Sequence, residues 1–249
     1  MLKSQQNIKI GVITIHNGTV VELERTLNSI DEQSNKPDLN LVIIKKVNNF
    51  DFKSYKKKYR KFIIGKDKSL WNAMNIGIQN TEKFNIIFLN SGDKFFSIKS
   101  IKHIRNQLKK NYNCSLVFKT ILKYRNTLFY PKKKYFEKDN YSPHPSFVRN
   151  SSNELKIEFF DEKNKINADG IWMKKLRKKK FKKINKIISV YYLGGQSSNP
   201  SLVSILQLLK FDINGGIKEF LKFLLYQLLP KEMYYKFLYS LKFETKFEK

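Results

Sequence analysis

Apolar runs of two kinds alternate along the first 120 residues, and each kind predicts a different element. Residues 8–15, IKIGVITI, are mostly apolar and β-branched, short enough for a central strand. Thr19 and Glu22 follow at capping-box spacing, and Leu23, Leu27 and Ile30 then recur at helical intervals. Residues 39–47 predict a second strand and 61–65 a third. Leu70, Met74, Gly77 and Ile78 mark one face of a helix, and residues 84–89 form a compact run that reads as a fourth strand. Ile98, Ile101, Ile104 and Leu108 give a further helix, and 115–118 a further strand. Strands alternating with helices at this spacing predict an α/β domain: a parallel-type sheet with helices on both faces.

Beyond residue 120 the pattern changes. Residues 120–130 and 135–149 are rich in aromatic and β-branched side chains, with Arg125-Asn126 as a turn between two candidate strands, which suits an antiparallel extension of the sheet. Residues 168–179 read as a helix and 187–192 as a late strand. From Pro200 only helical patterns are legible, broken by Asn214-Gly215-Gly216 and by Pro230. The predicted organisation is a domain over 1–199 and a helical tail over 200–249. Two readings of that tail stand side by side: helices packed on the domain or on a second copy in a homodimer, or an amphipathic anchor on a membrane surface.

Candidate chemistry gathers in residues 66–93, KDKSLWNAMNIGIQNTEKFNIIFLNSGD. A polar loop, an amphipathic helix and a buried strand lead there into a sharp Asn90-Ser91-Gly92-Asp93 turn. Ligands of open α/β sheets bind beyond the carboxyl ends of the strands, where Asp93 falls. A Ser-Gly turn with a solvated Asp would read the same way in isolation. Asp67, Asn72 and Asn75 add polar groups at the same edge.

DKSLWNAMNIGI followed by NIIFLNSGD resembles the donor-binding half of family 2 glycosyltransferases with the GT-A fold, most of all bacterial enzymes that build capsule, lipopolysaccharide or exopolysaccharide. HPSF at 144–147, FDE with AD between 160 and 169, and GGQSS at 194–198 match further motifs in order, so the resemblance spans residues 7–198. It implies a GT-A mixed sheet flanked by helices and transfer of one sugar, with inversion, from a nucleotide-diphosphate sugar to a saccharide or lipid-linked acceptor. A UDP-sugar is the first donor expected. It also implies a divalent cation, Mg²⁺ or Mn²⁺, with Asp93 as its protein ligand. Thr14, Asn17, Asp67, Asn72, Asn75, Asn90 and Asp93 are the candidate nucleotide-sugar contacts. His144 would line the acceptor side, and Asp169 would be the general base. An Asp in the first turn of a helix is also what capping and the helix dipole favour without any catalysis.

Two departures from the family pattern stand out. The Asp-Gly-x-Ser-x-Asp loop expected after the second strand reads KKVNNFD here, with Asp51 the only nearby acid. The Gln-x-x-Arg-Trp box of processive polymerases is absent, which favours a single addition over chain synthesis.

Composition changes this picture little. The 249 residues suffice for one domain with an appendage, and 20 Phe and 13 Tyr exclude a disordered chain. The net charge of +28 draws polyanions, but Lys, Asn, Ile and Phe are abundant together, as an A/T-rich codon bias would produce. Cys114 is the only cysteine, so no internal disulfide and no cysteine-based zinc site can form. The N-terminal residues lack a secretory h-region and no run of about 18 apolar residues occurs, so a cytoplasmic protein is expected, soluble or peripheral on the inner face of the cell membrane. The basic run at 174–183 suits anionic headgroups. A nucleic-acid-binding protein and a degenerate, inactive GT-A protein are the rival classes. The ordered acidic motifs speak against nucleic acid as a partner, and the missing Asp-Gly loop motivates the degenerate reading.

Overall fold

The computed structural model describes residues 8–45, 50–65, 68–137, 143–153, 159–162, 168–177, 180–195, 199–209 and 213–248. In chain order the elements are β1 (Ile10–His16), α1 (Val20–Asp31), β2 (Leu39–Ile44), β3 (Arg60–Ile64), α2 (Leu70–Gln79), β4 (Asn85–Phe88), β5 (Lys94–Phe95) and α3 (Ser100–Lys110). Then come β6 (Ser115–Tyr124), β7 (Thr127–Pro131), α4 (Lys133–Phe136), β8 (Phe147–Arg149), α5 (Ala168–Arg177) and β9 (Phe181–Tyr192). The chain closes with α6 (Leu202–Leu209), α7 (Ile213–Leu228), α8 (Lys231–Tyr239) and β10 (Phe243–Phe247). Contacts divide it into two compact units, residues 1–120 with 142–191 and residues 121–141 with 192–249.

In the first unit β3, β2, β1 and β4 pair in parallel, and β8 and the start of β6 extend that sheet antiparallel beyond β4. β5 pairs antiparallel with β9. β1, β2 and β4 are buried at every position, because helices cover both faces and leave no solvent side on which polar residues could alternate. One face packs Ile10, Val12, Val42 and Ile44 with Leu23, Leu27 and Ile30 of α1 and Ile101, Ile104 and Leu108 of α3. On α2, Gly77 permits close approach to the sheet: a Cβ there would stand 2.7 Å from Cγ2 of Ile13. Thr19 and Glu22 form the predicted capping box, each side chain meeting the other's backbone N–H.

β6 runs out of the first unit after Thr120. In the second unit its end pairs with β7 through the turn at Arg125, whose φ of 50° is left-handed, and β10 pairs antiparallel with β7. Phe129, Tyr234, Tyr235 and Phe243 are buried. β10 departs from the helix-only pattern expected beyond Pro200. FETKF buries only Phe243 and exposes the four residues after it, and the edge of β7 gives it a ladder to join. Among the described residues no helix is long and apolar enough to cross a membrane.

Candidate active site

Strand order puts a crevice at one place in the first unit. The chain runs from β1 outward to β2 and β3, then returns through α2 to lay β4 on the other flank of β1. Between β1 and β4 the direction of winding reverses, and ligands of open α/β sheets bind at the carboxyl ends of strands flanking such a reversal. β1 ends there in His16, followed by exposed Asn17, and β4 leads into the Asn90–Asp93 turn.

That turn is held by main-chain bonds from several sides. Gly92, at φ +99°, donates its N–H to Glu22 O at 3.0 Å and to Thr26 Oγ1 at 3.0 Å. Thr26 Oγ1 lies 2.7 Å from Asp93 O and 3.2 Å from both Asn90 O and Glu22 O. Arg25 donates to Gly92 O, Ser91 N–H to Ile15 O and Asp93 N–H to Asn90 O. The turn is therefore bound to α1 and to β1, with Asp93 only 4% exposed.

Thr26→Val keeps the shape of the side chain and removes the hydroxyl, leaving the buried carbonyl of Asp93 without that donor. A buried acceptor left so costs about 1–3 kcal/mol. The expected outcome is a lower urea midpoint together with weakened nucleotide binding, both restored by Thr26→Ser. A midpoint that falls with unaltered nucleotide affinity would reduce Thr26 to a scaffold residue.

His16 and Asn90 each present a buried polar atom that no protein group meets. His16 is 1% exposed; its Nδ1 lies 2.8 Å from Ser91 Oγ, and its Nε2 has no hydrogen-bond partner. Asn90 Oδ1 is likewise unpartnered. Burial pushes the His16 pKa down, and the carboxylate of Glu22 pulls against it, so the ring is neutral at pH 7. With Nδ1 engaged by Ser91, Nε2 is left as donor or acceptor according to the tautomer. Each such atom costs about 1–3 kcal/mol unless something completes it. Two of them linked through Ser91 at a switch point make this the candidate ligand site.

His16 was not among the sequence candidates; Thr14 was. Thr14 is fully buried inside β1, where its Oγ1 meets Asn40 Nδ2 at 3.4 Å, so its side chain belongs to the core. A polar imidazole closing a predominantly apolar run was the signal available. Asn17, Asn90 and Asp93 follow the carboxyl ends of β1 and β4 in the chain.

Asn72 and Asn75 face a different partner. Asn75 donates to Phe160 O and to Glu162 Oε1, each at 3.0 Å, and its Oδ1 accepts the Phe160 N–H at 2.8 Å. Asn72 Nδ2 lies 3.1 Å from Glu162 Oε1, and its Oδ1 accepts the Lys68 N–H. Both amides thus clamp residues 160–162 onto α2, and this departs from the nucleotide contact expected of them. The clamp sets Phe160 between two indoles, 5.6 Å from Trp71 and 4.8 Å from Trp172 of α5, both stacked. His144, in the 3₁₀ turn His144–Ser146, meets Phe88 of β4 at 5.6 Å and Phe160 at 6.0 Å, so the expected acceptor-side histidine lies on this aromatic platform. Asp169 is the second residue of α5, one turn before Trp172. Asp67 and residues 196–198 lie outside the described residues. Asp51 caps its own turn, accepting from the Lys53 and Ser54 N–H groups and the Ser54 hydroxyl, and the Ser54 bonds hold its pKa down.

Among the described residues no three His, Cys, Asp or Glu side chains gather as a metal cage. The Asn90–Asp93 turn carries two oxygen-donor side chains, the amide of Asn90, whose Oδ1 is unpartnered, and the carboxylate of Asp93. That fits a hard cation which keeps waters and takes substrate phosphate oxygens as its other ligands.

No protein-family model and no curated protein sequence matches the chain. Solved structures do match. The chain superposes on residues 1–349 of S. aureus TarS in complex with UDP-GlcNAc with a TM-score of 0.62 at 15% identity, covering 89% of this chain and 73% of that one. Against the longer crystal structure of TarS the TM-score is 0.58 at 14% identity, and the chain spans 45% of that protein. The mannosyltransferase PcManGT from Pyrobaculum calidifontis, in complex with GDP-Man and Mn²⁺, gives 0.55 at 11% identity over 76% of this chain and 58% of that one. At these identities the likeness is one of fold.

Proposed function

We propose that this chain, which has the GT-A glycosyltransferase fold, moves a single sugar from a nucleotide-diphosphate sugar to a saccharide or lipid-linked acceptor, with inversion at the anomeric carbon. The observation that carries the reading is the pair of unpartnered buried atoms, His16 Nε2 and Asn90 Oδ1, at the β1/β4 switch point, the latter on the turn that also carries Asp93. A nucleotide diphosphate offers donors and acceptors for both and needs its charge offset there. The ligands in the neighbours' structures, UDP-GlcNAc and GDP-Man, are of this class and support it. The sequence resemblance adds a role in bacterial surface polysaccharide synthesis, with a UDP-sugar as the first donor to test.

In this reading His16 and Asn17 meet the nucleotide and Asn90 and Asp93 the diphosphate side. Asp93, with Asn90 Oδ1, would hold Mg²⁺ or Mn²⁺, which when bound offsets the charge of the departing diphosphate. The aromatic platform of Trp71, Phe160, Trp172 and His144 orients the sugar and acceptor and keeps water away. The acceptor hydroxyl attacks the anomeric carbon as the bond to the diphosphate breaks, and its proton passes to the Asp169 carboxylate.

A thermal-shift panel of nucleotide diphosphates with and without Mn²⁺ tests binding. A specific ligand at 100 times its Kd adds about 2.7 kcal/mol. For a chain of this size that raises Tm by roughly 5–10 °C. No shift with any nucleotide sinks the reading. A shift without turnover of any nucleotide sugar would point to the degenerate GT-A protein instead.

A further inference from the structure

We infer that α7 docks the second unit on an anionic membrane surface, lying flat with its exposed apolar stripe in the headgroup boundary. Ile213, Ile217, Phe220, Leu221, Leu224 and Leu228 are all exposed. At 3.6 residues per turn these six positions fall within an arc of about 100° on one side of the helix. Such a stripe is what a helix ordinarily turns into a core. Here it is turned to solvent along the whole element, and Leu228 is 77% exposed. The side that packs inward is marked instead by Gly216, which lets α6 approach: a Cβ there would stand 2.5 Å from Leu209 Cδ2. The next helix repeats the device. Met233 and Phe237 of α8 are exposed four residues apart, and Leu241, just beyond its end, is 88% exposed.

Charge selects the occupant. The acidic side chains within α7 and α8, Glu219 and Glu232, are each neutralised in place, by Lys222 and Lys236 at 2.9 Å. With Lys218 and Lys231 and no further acid, α7 and α8 are each net positive. A second copy of a chain with net charge +28 would bring like charge to like, whereas an anionic bilayer supplies both an apolar layer and the counter-charge. At sixteen residues α7 is about 24 Å long and carries lysines within its length, so it suits the interface plane rather than a span.

The test is co-sedimentation of the full chain with vesicles of phosphatidylcholine alone and of phosphatidylcholine with phosphatidylglycerol, at low and at high salt. Binding is expected only with the anionic lipid, falling steeply as salt rises. Leu221→Gln/Leu228→Gln alters two exposed positions and should lower partitioning at least tenfold without moving the melting midpoint. A second variant, Met233→Gln/Phe237→Gln, reports on the α8 stripe should the first one fail to fold. Absence of wild-type binding to anionic vesicles overturns the proposal. So does binding unaffected by a folded variant, or a dimer in lipid-free solution that the α7 substitutions dissolve.

Discussion

Asp93→Ala is expected to abolish metal-dependent binding of a nucleotide diphosphate while the fold persists. Two features of the site set this expectation. The turn that carries Asp93 is fixed through its main chain, by Thr26, Glu22, Arg25 and Ile15, none of which needs the carboxylate. Removing the side chain should therefore leave the backbone of the turn in place, and any fall in the urea midpoint reads what the buried carboxylate itself contributes. No three-residue cage stands among the described residues, so no neighbouring acid cluster takes over the charge. Second-sphere residues alone typically account for 10–100-fold in metal affinity, and a sole carboxylate ligand should exceed that, so a loss greater than about 100-fold is anticipated. Calorimetry of the variant with a nucleotide diphosphate and Mn²⁺ reads it directly. Unchanged Mn²⁺-dependent heat would remove Asp93 from the site and leave it a buried turn residue.

Asp169→Asn should separate turnover from binding. Asp169 stands second in α5, one turn before Trp172, whose indole stacks on Phe160. A general base contributes typically about 10²–10⁴-fold. The amide should therefore bind donor almost as the wild type does and lose turnover by that factor, with KM for donor little changed. An Asp in a first helical turn also favours the helix through its charge, by about 0.3–1 kcal/mol. A variant that mainly lowers Tm and keeps its turnover would show that this smaller role is the whole of it.

The parallel half of the fold was legible because strands covered on both faces have nowhere to put polar residues. Residues 8–15, 39–47 and 84–89 announced themselves as predominantly apolar runs, and Thr19 with Glu22 announced the start of α1. β10 was hidden, since FETKF is too short to read against the helices before it, and its partner lies in residues 127–131. The candidate site was half legible. Asp93 followed from a strand ending in a turn, which is local. His16, Thr26 and Glu162 owe their places to contacts across 75, 67 and 87 residues, which no periodicity encodes. Asn72 and Asn75 show the converse: polar residues at the right edge were legible, but the partner they turn to was not.

The antiparallel ladder between β7 and β10 has a consequence for the order in which the protein is made. Phe243 pairs with Pro131 and Phe247 with Thr127, so one edge of the β6–β7 hairpin stands open until more than a hundred further residues have left the ribosome. At translation rates of about 5–20 residues per second that interval is on the order of ten seconds, long against the microseconds in which a hairpin forms. During it the nascent chain presents an unpaired strand carrying Leu128, Phe129 and Tyr130, the kind of edge that recruits other strands. Lys132, Lys133 and Lys134 follow directly, and a triple lysine beside such an edge repels a neighbouring nascent copy on the same messenger until β10 arrives.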